Sequence, residues 1–134
     1  MTAFAPTRMS PDKIAGLGIA EREPFVLPDQ ILEGAHKPRS EQMFRGDELV
    51  IIVYEDEAAT FAINEPFPYD EFVTVLSGKL VLTDAADRVQ EFVAGESAVV
   101  PKGFTGIWKM EGKYRELVAI ERAAYDRANG IEAE

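Results

Sequence analysis

The chain has 134 residues, of which 46% are apolar and 28% charged, and this composition is typical of one globular domain. Its net charge of −10 argues against a nucleic-acid binder or a binder of anionic membranes, because both ligands select clustered positive charge. The lack of cysteine excludes disulfides and thiolate metal sites.

No apolar run approaches the ~20 residues that a helix needs to span a bilayer. The first residues carry no basic segment followed by an apolar stretch, so no secretory signal is predicted. We therefore expect a cytoplasmic protein with no nucleic-acid partner and no membrane partner.

Residues 1–44 are predicted to form an N-terminal arm and an edge strand. Ser10 and Pro11 suit the cap and the first position of one short helical turn. The apolar stretch at residues 25–32 predicts a loose edge strand, and the mixed polar sequence at residues 33–46 predicts a loop. An arm of this length could cross to a second barrel, so the sequence predicts a homodimer.

Residues 45–122 are predicted to form a single all-β barrel. Short runs rich in β-branched and aromatic residues follow one another with turn signals between them, as in sandwiches and barrels. The predicted strands are residues 48–55, 58–64, 71–78, 79–84, 88–95, 97–103, 104–110 and 114–121. Residues 123–134 contain good helix formers before Gly130, which predicts a short C-terminal helix.

Two segments of the barrel carry a family resemblance. The first has Glu71 followed by six residues and Gly78, and the second has Gly95, five residues and then Pro101-Lys-Gly103. In this order and spacing they resemble the two motifs of the cupin superfamily, whose RmlC-like jelly-roll barrel is the fold that the resemblance implies. The closest resemblance is to the small cupins of the ureidoglycine-aminohydrolase type, with ethanolamine-utilisation cupins as relatives, and it covers about residues 45–122.

The resemblance also implies four metal ligands, of which this sequence keeps one. Cupins usually place His-x-His before the position of Glu71 and a further histidine at the position of Gly106, and neither is present here. Asp70 could assist Glu71, but neighbouring residues of a strand point to opposite faces. A metal generally needs three or four ligands around one point, so we expect no metal and no other cofactor.

The period of two in a strand predicts which side chains line the barrel. Glu71, Val73 and Val75 share one inward face. Phe104, Gly106, Trp108 and Met110 share another, and Tyr69 and Tyr54 are further candidates to face the ligand. Glu71 is the candidate catalytic residue, because burial without a cation would raise the pKa of its carboxyl and make it a usable acid or base. The alternative for Glu71 is a structural role, bonded to backbone amides or to a basic side chain.

His36, the only histidine, has two interpretations. It is either a solvated loop residue or a lone acid, base or ligand folded over the mouth of the barrel.

For function, the first expectation is a metal-free cupin that binds a small polar metabolite, such as a ureido compound or an amine. The second is a metal-independent isomerase, lyase or aminohydrolase-like enzyme that uses Glu71. The third is a non-catalytic structural or regulatory cupin. Fold alone does not choose among them.

Overall fold

Antiparallel strands are the main elements of the computed structural model, which describes residues 4–132. Eight strands are flanked by a short helix at each end, and one 3-10 turn precedes the first strand. The elements are α1 Pro11–Ile14, the 3-10 turn Pro28–Gln30, β1 Ile31–Gly34, β2 Arg39–Arg45, β3 Leu49–Asp56, β4 Ala59–Ile63, β5 Glu71–Asp84, β6 Val89–Val93, β7 Ser97–Val100, β8 Gly106–Glu121 and α2 Arg122–Ala128. The prediction of an all-β fold with a short C-terminal helix is confirmed.

Strands β5 and β8 are long, and each belongs to two layers. They pair with each other along most of their length, with register shifts around Ser77. Gly78 and Gly112 adopt positive φ angles of 75° and 70°, which lets both strands bend at the same level without reversing. The sequence predicted separate strands on either side of these glycines, and this was wrong because a glycine bend inside a paired strand resembles a turn.

The bends divide the sheet into two layers that enclose the core. One layer has the order β2-β3-β8-β5-β7, through the first half of β5 and the second half of β8. The other has the order β1-β4-β8-β5-β6, through the opposite halves. This two-layered arrangement is the jelly roll that the resemblance implied. The predicted inward faces of β5 and β8 are confirmed by the burial of Val73, Val75, Trp108 and Met110.

The N-terminal segment differs from the prediction in two places. The edge strand is β1, which starts at Ile31 and pairs with β4, several residues later than the predicted stretch at 25–32. The predicted loop at 33–46 contains strand β2, whose polar sequence conceals it because the strand lies at the edge of its layer and most of its residues are only half-buried. The predicted boundaries at 44/45 and 122/123 stay predictions, and residues 1–3 and 133–134 of the arm and tail lie outside the described residues.

The arm packs against its own barrel. Ile19 is buried, and the backbone of residues 20–22 hydrogen-bonds to residues 38–40 beside β2. The Arg115 guanidinium donates to the Ile14 carbonyl at 2.8 Å and to the Glu55 carboxylate at 3.1 Å. These contacts tie the arm to the outer face of β3 and β8.

The C-terminal helix α2 is fixed by one bidentate ion pair. The two terminal nitrogens of Arg45 donate to the two carboxylate oxygens of Asp126 at 2.9 and 2.8 Å. Neither α2 nor any other helix within residues 4–132 has the length and apolar character needed to cross a bilayer.

Candidate functional site

Glu71 lies inside the barrel without a partner. It is the first residue of β5, opposite Val100 and Ile120, and it is 7% exposed. Within residues 4–132 no hydrogen bond or ion pair reaches its carboxylate. Because no buried side-chain oxygen in this part of the chain is both sealed from solvent and unpartnered, the Glu71 oxygens face space that a water-sized group can enter.

Glu116 is a second buried carboxylate in the same interior. It lies on β8 opposite Val75 and Tyr54, and one of its oxygens accepts a 2.5 Å hydrogen bond from the Tyr114 hydroxyl. Counted along β5, its row is four residues from that of Glu71, roughly 13 Å at about 3.3 Å per residue. The sequence analysis did not select Glu116, although the alternation of residues 114–121 places it on the inward face.

The two carboxyl groups are biased toward their neutral forms. Burial raises the pKa of Glu116 to about 7, against the opposing effect of the Tyr114 hydrogen bond. Burial, followed by the charge of Glu116, raises the pKa of Glu71 well above its ordinary value. The charge of one carboxyl group thus disfavours ionisation of the other, so the protonation of Glu71 and that of Glu116 are linked.

Three tyrosines face this interior. Burial and the nearby carboxylates raise the pKa values of Tyr54, Tyr69 and Tyr114, so all three hydroxyls stay protonated and remain donors. The hydroxyls of Tyr54 and Tyr114 already donate to Asp56 and Glu116 respectively. Tyr69 has no such partner within the described residues, and the charge of Glu71 contributes to its shift.

His36 is buried, so its interpretation as a solvated loop residue was wrong. Its side chain is 1% exposed and lies edge-on between the rings of Phe25 and Phe61. The Phe25 backbone N–H donates to Nε2 at 3.1 Å, so the proton of this neutral imidazole is on Nδ1, which donates to Asp56 at 2.6 Å. Both ring nitrogens are thus occupied by structural bonds.

Asp56 is the acceptor at the centre of the hydrogen bonds around His36. Its carboxylate accepts from the His36 ring, from the Tyr54 hydroxyl and from the backbone N–H groups of Lys37 and Glu57 at 2.7 and 2.8 Å. Each carboxylate oxygen thus accepts two hydrogen bonds, and Asp56 joins the chain before β2 to the end of β3.

Aromatic rings cover the end of the barrel where β5 starts. Phe67 stacks on Trp108 with ring centroids 6.2 Å apart, and it contacts Tyr69 edge-on at 5.6 Å. Tyr69 in turn contacts Tyr125 of α2 at 6.4 Å. The backbone of Phe67 is held to Phe104 by a hydrogen bond of 2.9 Å. These rings, which we call the aromatic mouth, are Phe67, Tyr69, Phe104, Trp108 and Tyr125.

The remaining predicted positions have different roles. Phe104 precedes β8, so it lies in a loop and not in the strand predicted for it. Gly106 has a φ of 148°, and a Cβ there would lie 1.9 Å from the Thr83 carbonyl oxygen, so no side chain can occupy this position. Met110 and Tyr54 are buried in the core cluster, where the Tyr54 hydroxyl also approaches the Met110 sulfur at 4.0 Å.

The residues do not fit the metal that the cupin resemblance implies. No group of three His, Cys, Asp or Glu side chains within residues 4–132 could hold an ion. Gly106 has no ligand to offer, and the only imidazole is bonded through both nitrogens. Asp70 is exposed and its carboxylate accepts the Lys102 N–H, so it does not assist Glu71.

Two cavities of about 450 and 440 Å³ open on the surface away from Glu71 and Glu116. The first lies beside the arm and His36, and the second lies against β6 and β7. Neither cavity is lined by Glu71 or Glu116, whereas Asp56 lines the first.

Comparison with known proteins gives a family and a fold. The model of the EutQ-like cupin domain family matches residues 50–116, half of the chain. No protein of curated function matches the sequence.

Among solved structures, a protein of unknown function from Pseudomonas syringae pv. tomato has a TM-score of 0.68 at 20% identity, covering 76% of this chain and 43% of that one. This chain thus spans less than half of that relative. A putative ethanolamine utilization protein Q from Salmonella typhimurium has a TM-score of 0.57 at 21% identity, covering 66% and 72%. The polyketide cyclase RemF from Streptomyces resistomycificus has a TM-score of 0.57 at 18% identity, covering 78% and 74%. At these identities the likeness concerns the fold alone.

Proposed function

The chain belongs to the EutQ-like cupin domain family, and from that premise we propose that its barrel binds a small polar metabolite without the usual cupin metal. The unpartnered Glu71 carboxylate carries this proposal, because a buried polar group without a protein partner is costly unless a ligand or water satisfies it. The apolar walls and the few convergent polar groups are those of a small-molecule site.

Thermal stability in the presence of ligands tests the proposal. A panel of ureido compounds, amines and small carboxylic acids is added to the wild type, to Glu71→Gln and to Glu121→Gln, whose carboxylate lies on the exposed end of β8. At least one class should raise the melting temperature of the wild type and of Glu121→Gln but not of Glu71→Gln. Equal shifts for all three proteins, or none with any compound, would support the alternative of a non-catalytic structural or regulatory cupin.

A second candidate is an enzyme that uses Glu71 as acid or base without a metal. It is favoured by the raised pKa values of Glu71 and Glu116, because a carboxyl group with a raised pKa is a more effective acid or base near neutral pH. The resemblance to the ureidoglycine-aminohydrolase type makes release of ammonia from ureido compounds the first reaction to measure. Turnover by the wild type that is absent in Glu71→Gln would establish that the protein is an enzyme that depends on Glu71. Binding of a ureido compound without release of ammonia would exclude that reaction.

We also propose that the protein forms a homodimer and is located in the cytoplasm. Exposed apolar side chains on the outer face of β5 and β7 support self-association, since Phe72 and Val99 lie opposite each other there and are 46% and 60% exposed. Sedimentation at micromolar concentration should give a mass near twice the 14.8 kDa of the chain. A mass near 14.8 kDa would contradict the dimer.

A further inference from the structure

We infer that the cavity beside the arm is a second binding site, which takes a small organic monocarboxylate. Its volume of about 450 Å³ is within the range of small-molecule pockets. Its walls come from the arm, the residues at the start of β2, the end of β3 and Lys113 of β8. Because Glu71 does not line this cavity, the inference goes beyond the proposed function and does not rest on it.

The two buried carboxylates of the cavity are already bonded to the protein. Each oxygen of Asp56 accepts two hydrogen bonds. Glu55 is 2% exposed and binds three basic side chains, those of Arg39 at 2.9 Å, Arg115 at 3.1 Å and Lys113 at 3.6 Å. Neither carboxylate therefore needs a cationic ligand to compensate it.

The charges around the cavity call for one further negative charge. The lining has four basic and four acidic side chains, which are Arg22, Lys37, Arg39 and Lys113, and Glu21, Glu55, Asp56 and Glu57. His36 is neutral, and Arg115 adds a fifth positive charge through its bond to Glu55 although it does not line the cavity. Positive charges thus prevail here by one, in a chain whose net charge is −10. A monoanion compensates this excess and a cation would increase it.

Three basic groups of the lining have N–H donors to offer. The Nε of Arg22 donates to the Ser40 carbonyl at 3.1 Å, which fixes the guanidinium group while its terminal nitrogens have no acceptor within the described residues. The Lys37 ammonium group has no partner in the same part of the chain, and that of Lys113 is 3.6 Å from Glu55, too far for a hydrogen bond.

The geometry of these donors suits a carboxylate. The edge of a guanidinium group binds the two oxygens of a carboxylate through parallel hydrogen bonds, so Arg22 is the anchor. A compact cavity of this volume is roughly 10 Å across, so a ligand with a few carbon atoms reaches several walls at once. Pro24 and Pro38 have no N–H groups and offer apolar surface to the carbon chain.

Glu21 and Glu57 select among anions. Both are exposed, and within residues 4–132 neither carboxylate has a hydrogen bond or an ion pair. Their charges oppose a second negative charge in the cavity, so a dicarboxylate or a phosphate dianion is disfavoured relative to a monocarboxylate.

A carboxylate bound here links the arm to the barrel. Arg22 belongs to the arm, whereas Lys37 and Lys113 do not. Release of the arm removes the anchor, so the ligand must oppose that release. The Ser40 N–H, which donates to the Ala20 carbonyl of the arm, reports it through amide exchange.

Calorimetric titration at pH 7 and constant ionic strength tests the site with propionate, succinate, inorganic phosphate, propylammonium and glycine. We expect propionate to bind most tightly. Arg22→Gln and Lys37→Gln should each weaken its binding about fivefold. The matched controls Arg88→Gln and Lys109→Gln should change it less than twofold, because both residues are exposed and lie outside the lining. Circular dichroism establishes that each variant is folded.

Amide exchange gives an independent measurement. Saturating propionate should slow exchange of the Ser40 N–H at least tenfold in the wild type and not in Arg22→Gln. Unchanged exchange in the wild type would mean that the ligand does not bridge arm and barrel, which overturns the site.

The remaining outcomes are also decisive. Equal or tighter binding of succinate or phosphate would overturn the selection of a monocarboxylate, and preferential binding of propylammonium or glycine would overturn the anion. Equal weakening in variants and controls, or no binding of propionate, would overturn the site itself. Propionate binding that is lost in Glu71→Gln and kept in Arg22→Gln would place the ligand in the barrel interior, which contradicts this inference and supports the proposed function.

Discussion

At the scale of single residues, two kinds of buried carboxylate coexist in this barrel. Asp56 is enclosed by four donors and serves to hold chain segments together. Glu71 is equally buried and has none within the described residues. Burial of an unpartnered carboxyl group is costly unless the group is protonated or a ligand or water satisfies it, so Glu71 without such a partner reduces the stability of the fold.

A first prediction concerns pH and Glu116. The ordinary pKa of 4.5 applies to the unfolded chain, and burial raises the folded value to about 7. Between these values the unfolded state releases the proton and the folded state keeps it, so stability falls as pH rises through this window and levels off above it. Glu116→Gln removes the effect and should gain up to about 3 kcal/mol relative to wild type between pH 5 and pH 8.

Urea unfolding at pH 5, 6, 7 and 8 measures this difference. The control is Glu121→Gln, which should run parallel to wild type at every pH because its carboxylate is exposed. If the stabilities of wild type and Glu116→Gln depend on pH in the same way, the pKa of the Glu116 carboxyl group is not raised in the folded protein.

His36 gives a second prediction at the residue scale. His36→Ala removes one donor to Asp56 and the acceptor of the Phe25 N–H, and it leaves a gap between two phenyl rings. We expect a loss of about 2–4 kcal/mol in the free energy of unfolding. Lys37→Ala is the matched control, because its side chain is exposed and only its backbone N–H contacts Asp56. A loss in Lys37→Ala as large as in His36→Ala would disprove the role of the imidazole.

The sequence predicts some of these residues and not others for a physical reason. Glu71 and Trp108 follow from the period of two within one strand, which is local information. The burial of His36 depends on Phe25, Asp56 and Phe61, which belong to three different segments of the chain. A single histidine in a polar stretch carries no local sign of such contacts, so its environment could be read only from the fold.

At the scale of elements, strand identity is predictable and strand continuity is not. The alternating runs at 71–78 and 79–84 are both present, but they are halves of β5. Gly78 resembles a turn residue because it has a positive φ, and yet its neighbours stay paired with β8 on both sides. Whether such a glycine bends a strand or reverses it depends on the pairing partner, which lies some 30 residues away.

Gly106 provides a prediction at this scale. An alanine Cβ there would overlap the Thr83 carbonyl oxygen, whereas at Gly95, which has a φ of 93°, nothing lies within 4 Å. Both substitutions strain the backbone, so their difference isolates the steric overlap. Gly106→Ala should lose at least about 2 kcal/mol more than Gly95→Ala in denaturant unfolding. Equal losses would mean that β5 and β8 separate easily at this end, and a histidine at position 106 would then be tolerated as well.

At the scale of the whole molecule, a cluster of ion pairs attaches the arm to the barrel. Glu55 is almost fully buried on the outer side of β3, where it pairs with Arg39 at 2.9 Å, Arg115 at 3.1 Å and Lys113 at 3.6 Å. Arg39 and Arg115 also donate to carbonyl groups of the arm. The Glu55 carboxylate thus orients the guanidinium groups of Arg39 and Arg115, and these two groups hold the arm to the barrel of its own chain.

Arg115→Gln is predicted to release the arm while the barrel stays folded. The substitution removes the bond to the Ile14 carbonyl and one cation of the Glu55 cluster, but Arg39 and Lys113 still neutralise that carboxylate. Amide exchange at Ser40, whose N–H donates to the Ala20 carbonyl, should accelerate at least tenfold, as should tryptic cleavage near the arm. Arg88→Gln serves as control, because Arg88 is 79% exposed and its pair with Asp84 is distant from the arm. If both variants exchange like wild type, the arm is held by its apolar contact at Ile19 and not by the ion cluster, and its release would then require a change at that buried side chain.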